Sequence, residues 1–272
     1  MTPGSRTDEH DLGLGHDLPR LLSRRRALGL FAGGLGAAAL AACGSSADGG
    51  GGGQAAGTTA TTKADAAEIP EETAGPFPGD GSNGPDALRE SGVVRRDITS
   101  SFAGASGKAD GVPTTIDIAL LDVAAGGEPL VGAAVYLWHC DRDGRYSMYA
   151  AAIASENYLR GVQESDKDGK LAFTSIFPAA YSGRWPHIHF EVYESLDAAT
   201  AGGSKLRTSQ LAIPKQACDA VYATGGYEAS VQKLAQTSLE SDMVFRDGHS
   251  SQLARWSGSP EHGIALKLNV GV

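Results

Sequence analysis

The sequence predicts an all-β domain, an antiparallel β-sandwich with one or two short helices, and three observations carry that reading. Apolar and polar residues alternate over short runs, Gly and Asp turns separate the runs, and helical periodicity is confined to one brief stretch. "TTIDIALLDV" (114–123) alternates as a half-buried strand does, and "AAVYLWHC" (133–140) is a second strand-like run. "DRDG" (141–144) turns the chain, and "DKDG" (166–169) turns it again before "KLAFTSIF" (170–177). Neither is a calcium loop, because Ala152 and Phe177 stand where an EF-hand needs its closing Glu, so both read as hairpin turns. Further strands follow in "HIHFEVY" (187–193), "TSQLAIP" (208–214) and "GIALKLNVGV" (263–272). Within 227–240, Val231, Leu234, Ala235 and Leu239 recur at helical spacing, which predicts one packing helix.

The N-terminal quarter reads differently. Arg24, Arg25 and Arg26 precede the glycine-rich apolar run "ALGLFAGGLGAAALAA" (27–42), the pattern of an export signal with twin arginines. That run is shorter than the ~20 apolar residues a membrane span needs. It ends in Leu40-Ala41-Ala42-Cys43, which resembles a bacterial lipobox whose cysteine is lipidated. The expected organisation is a signal peptide over 1–42, a Gly/Ala/Thr-rich tether over 43–70 and a single domain over 71–272. The tether reaches roughly 28 Å on a flexible-chain estimate. Export and lipidation imply a protein anchored on the outer face of the cytoplasmic membrane.

Residues 1–42 hold five Arg and four acidic residues, so their removal takes the net charge from -9 to -10. An acidic chain with no basic run and no zinc-knuckle spacing argues against nucleic acid as a partner. With Cys43 given to lipid, Cys140 and Cys218 remain, and outside the cytoplasm one disulfide between them is expected.

On an extended strand His187, His189, Glu191 and Tyr193 share one face, while Ile188, Phe190 and Val192 share the other. Alternation alone makes such a face, so a solvated polar surface and a metal site both stand at this point. Two imidazoles would need further ligands, and Tyr181 and Tyr146 are the nearest candidates. A phenol ionises near pH 10 and becomes a ligand only when a strong Lewis acid such as ferric iron displaces its proton. Hard phenolate oxygens with two imidazoles would leave coordination positions open for substrate.

The segments "ETAGPF" (72–77), "VYLWHCDRDGRY" (135–146), "SIFPAAYSGRWPHIHFEV" (175–192) and "TSQLAI" (208–213) together resemble the intradiol ring-cleavage dioxygenases, nearest to protocatechuate 3,4-dioxygenase and its exported bacterial relatives. The ordered set G-R-Y, P-x-x-Y, R-x-P-H-I-H is the specific element. The resemblance implies a β-sandwich holding non-haem Fe(III) through Tyr146, Tyr181, His187 and His189. It further implies that Tyr146 stays bound, that Tyr181 leaves when substrate chelates, that Arg184 stabilises charge on the activated ring, and that Gln210 supports the site from behind. A catechol-type diol and dioxygen are the implied substrates and a muconate-type diacid the product.

Two departures matter. Five residues separate Tyr181 from His187, a short loop for this family, so the family's substrate preferences do not carry over. The chain also lacks the extended helical N-terminal region of catechol 1,2-dioxygenases, so dimerisation through such helices is not expected. A cupin reading would use His187, His189 and Glu194, but no later Pro-x-Gly-x-x-His motif supplies its third histidine. A lipid-anchored module that binds iron or an aromatic without turnover is the other alternative.

Overall fold

A computed structural model describes residues 67–272. The signal peptide, Cys43 and most of the tether lie outside the described residues. The packed chain begins before the tether boundary expected at residue 70. Ile69 is buried, its N–H donates to the Gly271 carbonyl at 3.0 Å, and Glu68 bridges to the same residue. An isoleucine amid Ala, Pro and Glu is a weak signal for burial, which is why the sequence places this boundary late.

Among the described residues nine strands form two sheets. The first contains β1 (Pro113–Asp122), β2 (Glu128–Pro129), β5 (Lys170–Ile176), β8 (Arg255–Ser259) and β9 (Gly263–Gly271). The second runs in the order β4 (Arg160–Glu164), β3 (Ala134–Trp138), β6 (His187–Tyr193), β7 (Lys205–Ala212), with every pairing antiparallel. The predicted sandwich is therefore present, with one parallel pairing, β1 to β9, inside its first sheet. Alternation explains the core: Ile116, Ile118 and Leu120 of β1 and Ile264, Leu266, Leu268 and Val270 of β9 face Val135, Leu137, Ile188, Phe190 and Val192 in one apolar cluster.

The second face of the second sheet is not solvated. All seven residues of β6 are buried, because the chain from Leu88 to Phe102 and the helix α1 (Leu196–Ala201) cover that side. Leu88, Val93 and Ala199 pack there on Tyr136, Trp138 and Tyr193. The polar members of this face are neutralised in place. Glu191 is paired with Lys205, Tyr193 donates to Glu191 Oε2 at 2.7 Å, and Lys205 also reaches Asp80 at 2.6 Å.

The two Asp-Gly turns are tight, yet neither is a short hairpin turn between paired strands, since β3 and β4 pair only across a long connection. "DRDG" opens a long excursion from β3 to β4, and "DKDG" carries the chain from one sheet to the other. In each the first Asp does the work, its Oδ1 accepting two backbone N–H bonds at 2.9 Å.

Three α-helices lie among the described residues: α1, α2 (Lys215–Tyr222) and α3 (Glu228–Leu234). The helix expected within 227–240 is α3, shorter and rotated. Val231 is 51% exposed and Ala235 is exposed, while Ser230 and Leu234 face inward. Ser230 turns in because its hydroxyl accepts the Ala180 N–H at 3.1 Å, a polar requirement that apolar periodicity does not register.

Arg160 clasps three parts of the chain. Its Nε donates to Ser147 Oγ at 3.1 Å, Nη1 to the Pro78 carbonyl at 2.8 Å and Tyr136 Oη at 3.3 Å, and Nη2 to the carbonyls of Phe77 at 3.1 Å and Ser147 at 2.9 Å. Gly79 lies so close, with φ +63, that a Cβ there would stand 2.7 Å from Nη1.

Cys140 and Cys218 are free and both buried, so the expected disulfide is absent. Cys140 sits against the Ala179 carbonyl at 3.7 Å, whereas Cys218 lies on α2 within the main apolar cluster, with Tyr222 near both thiols. Burial pushes both thiols up in pKa, which keeps them protonated and unreactive.

Two predictions follow from this packing. Alkylation without reductant should modify Cys140 and Cys218 only after unfolding, and a disulfide-linked peptide pair in the mass spectrum would contradict the free thiols. Arg160→Lys keeps a charge but strands buried carbonyls, so thermal unfolding should show a loss of about 3 kcal/mol. At about 2–4 °C per kcal/mol for a domain of this size, a melting temperature unchanged within 2 °C would show that the clasp is dispensable.

Candidate metal centre

The site is built on one row of the second sheet. Trp138 of β3, His189 of β6 and Gln210 of β7 are directly paired across the strands, so their side chains share a face. Ile188 between the two histidines points into the inter-sheet core and fixes that register. Trp138 stacks on the His189 ring with centroids 5.0 Å apart and planes within 5°.

Tyr146 arrives from the turn after β3. Asp141 N donates to the Arg145 carbonyl at 2.8 Å, and Gly144, at φ +86, lets the turn close against Tyr181, whose Cβ would lie 3.3 Å from any Cβ added there. Arg160 then holds Ser147, the next residue after Tyr146. The P-x-x-Y segment is pinned from the helical side: Tyr227 Oη donates to the Phe177 carbonyl at 2.8 Å and Tyr222 Oη to the Pro178 carbonyl at 3.0 Å. "ETAGPF" lies over the row. Gln210 Nε2 donates to the Thr73 carbonyl at 2.9 Å, Phe77 packs on Tyr146 with centroids 5.0 Å apart, and a Cβ on Gly75 would be 3.3 Å from His189 Cε1.

Four donor atoms converge. Tyr146 Oη and Tyr181 Oη are 3.4 Å apart, Tyr181 Oη is 3.1 Å from His187 Nε2, and that nitrogen is 3.0 Å from His189 Nε2. Donors bound about 2.1 Å from one ion, at angles between a right angle and a tetrahedral one, would be about 3.0–3.4 Å apart. His187 Nδ1–H donates to the Trp185 carbonyl at 2.5 Å, which leaves the Nε2 lone pair facing the cluster. Burial, reinforced by the Arg184 charge, holds the His187 pKa well below its ordinary value. Burial and then the neighbouring His187 do the same for His189. Both rings are therefore neutral at physiological pH, with lone pairs available to a metal. His189 Nδ1 is buried without a hydrogen-bond partner.

Burial raises the Tyr146 phenol well above pH 10, and the nearby Tyr181 adds to it. Such a phenol ionises only against a strong Lewis acid. Among the described residues no group of three His, Cys, Asp or Glu could hold a metal, so any ion here depends on the tyrosine oxygens. The donor set thus fits ferric iron and does not fit a cupin centre, and Glu194, which that reading needs, is exposed.

Arg184 is buried beside the four donors. Its Nε donates to Asp242 Oδ2 at 2.9 Å and Nη2 to Gln210 Oε1 at 2.6 Å, while Nη1 stands 3.4 Å from His187 Nε2. Burial, the largest single influence, works against its charge, but Asp242 together with Tyr181 and Tyr146 raises the pKa above that of a free guanidinium. The structure therefore brings together Tyr146, Tyr181, Arg184, His187, His189 and Gln210. It adds Asp242, which sequence reasoning missed: it lies 58 residues beyond Arg184, outside every motif.

A protein-family model described as dioxygenase matches residues 84–199. A chlorocatechol 1,2-dioxygenase from Rhodococcus opacus is 38% identical over 55 residues, 20% of this chain. The match spans about a fifth, 21%, of that curated relative. Among solved structures, an intradiol ring-cleavage dioxygenase from Tetranychus urticae superposes with TM-score 0.54 at 22% identity, covering 66% of this chain and 86% of its own. The dioxygenase domain of a carbohydrate-binding fusion from Streptomyces sp. SirexAA-E gives TM-score 0.48 at 19% identity, covering 76% and 98%. Residues 84–199 thus match the dioxygenase family model by sequence, and the described domain shares the fold of intradiol ring-cleavage dioxygenases.

Proposed function

We propose that the chain cleaves a catechol-type diol between its two hydroxyl-bearing carbons, adding both atoms of dioxygen to give a muconate-type diacid. The supporting observation is the approach of Tyr146 Oη, Tyr181 Oη, His187 Nε2 and His189 Nε2 to within 3.0–3.4 Å of their neighbours, with Arg184 Nη1 alongside. Non-haem ferric iron, held by these four atoms, would supply a Lewis acid and electron acceptor that activates a chelated diol toward dioxygen.

The chain's own residues divide the remaining tasks. Neutral His187 and His189 present lone pairs without competing for the diol's protons. Tyr146, fully enclosed, has no route to solvent and stays in place. Tyr181 is half-buried and can swing aside, its Oη taking one of the two protons that the diol releases. Arg184, held by Asp242 and Gln210, offers Nη1 to the negative charge that develops on the ring. Trp138 and Phe77 close the sides of the site with apolar surface, which limits competing solvent.

The same reading places the enzyme outside the cytoplasmic membrane on a lipid carried by Cys43. The support is the twin-arginine pattern, the Leu40-Ala41-Ala42-Cys43 motif and the Gly/Ala/Thr-rich run that separates it from the folded domain. No helix among the described residues is long and apolar enough to cross a membrane.

Protein loaded with Fe(III) should be red to burgundy from phenolate-to-iron charge transfer, and chelator should bleach it; a colourless, fully loaded protein would refute the tyrosinate centre. Tyr146→Phe should bleach or strongly shift that band, and an unchanged spectrum would remove Tyr146 from the ligand set. Under air, oxygen uptake is expected with at least one of catechol, protocatechuate and hydroxyquinol. Coloured protein that consumes no oxygen with any of them would favour the binding module. In cells, Cys43→Ala should release the protein from the membrane fraction, and continued attachment would contradict lipidation.

A further inference from the structure

Arg184 is held from two sides and open on a third. Asp242 takes Nε, Gln210 takes Nη2, and Nη1 is left facing the donor cluster. Gln210 is neutral, so the charge of this buried guanidinium is balanced by Asp242, which is itself fully enclosed. Asp242 also holds the ground on both sides of that bond. Its Oδ2 accepts the Trp185 N–H at 2.6 Å, and its Oδ1 accepts the N–H groups of Val244 at 2.8 Å and Phe245 at 3.3 Å. Phe245 lies with its ring 6.0 Å from the Arg184 Cζ. One carboxylate thus ties the Arg184-Trp185 backbone, the guanidinium and the 242–245 turn into a single unit.

We propose that Asp242 is a positioning residue for ring cleavage: it fixes the plane of the Arg184 guanidinium so that Nη1, and no other donor, faces the bound diol. The proposal rests on the ring-cleavage reading above. Its chemistry is specific to a carboxylate. Four donors converge on Asp242 from two directions, and an asparagine has one acceptor oxygen and an NH2 group, so it can serve one direction only. Removing the charge also leaves the buried guanidinium without its counter-ion, and the guanidinium then has no reason to keep its plane.

The test uses the full-length, iron-loaded protein. Asp242→Asn should keep the ferric colour and bind catechol anaerobically, read by the absorbance change, within about threefold of wild type. Its kcat should fall about 10²-fold, the scale of losing one aimed donor. Arg184→Met gives the reference. Adding Asp242→Asn to it should slow turnover by no more than about threefold, because Asp242 acts through Arg184. A wild-type kcat in Asp242→Asn, or a further ~10²-fold loss in the double variant, overturns the proposal. If the single variant fails to fold, the double variant still decides, since it removes both buried charges. A second readout needs no turnover: the Arg184 Nε–H resonance in metal-free protein should exchange slowly in wild type and quickly in Asp242→Asn. Unchanged protection refutes the positioning role, whereas a coloured wild type that consumes no oxygen refutes the dioxygenase reading alone.

Discussion

Arg160 is closed off from solvent, and each of its five N–H donors ends on an oxygen, none of them a carboxylate. Carbonyls of Phe77 and Pro78, both oxygens of Ser147 and the phenol of Tyr136 form its cage. The charge is spread over dipoles that only a folded chain can aim at one point. The rest of the site inherits that arrangement. Ser147 follows Tyr146, and Phe77 both closes the "ETAGPF" segment and packs on the Tyr146 ring. One side chain on β4 therefore sets the distance between a ligand loop and the segment that roofs it.

The donor cluster works by contrast of environments. Burial makes the two imidazoles neutral and Tyr146 reluctant to ionise, so the four atoms form a site that is electrically empty until a highly charged cation enters. The two tyrosines then differ in freedom and not in chemistry. Tyr146 is locked within the outer cluster, whereas Tyr181 stands half-exposed on a short loop. On the proposed function, a fixed ligand and a displaceable one would come from the same residue type because one is packed and the other is merely tethered.

Much of this was legible in the sequence, and where it was not the reasons are physical. Period-two alternation located Ile116 to Leu120 and the 187–193 strand, since burial between two sheets demands that pattern. It could not say that the polar face of β6 would also be covered, because the covering chain from Leu88 to Phe102 has no regular period. The helix near 227–240 was displaced by Ser230, whose inward turn serves a hydrogen bond and not apolar burial. Tyr146, Tyr181, Arg184, His187, His189 and Gln210 could be gathered because ordered motifs carry them. Asp242 carries no motif, and only the fold shows that a carboxylate there meets Arg184. The cysteines illustrate the converse: two thiols left over in the sequence suggest a bond, yet both stay free and buried in the fold.

The site's fastenings are also long in sequence. Gln210 reaches Thr73 across 137 residues, Arg160 reaches Phe77 across 83, and Arg184 reaches Asp242 across 58. Closing such loops delays a contact until most of the polypeptide is in place, and folds dominated by non-local pairing assemble slowly. The donors Tyr181, His187 and His189 lie within nine residues, yet the contacts that orient them close only when distant parts of the chain have come together. On the proposed function, the order of the site would therefore be inherited from the finished domain, and metal would meet a cage whose geometry is already set.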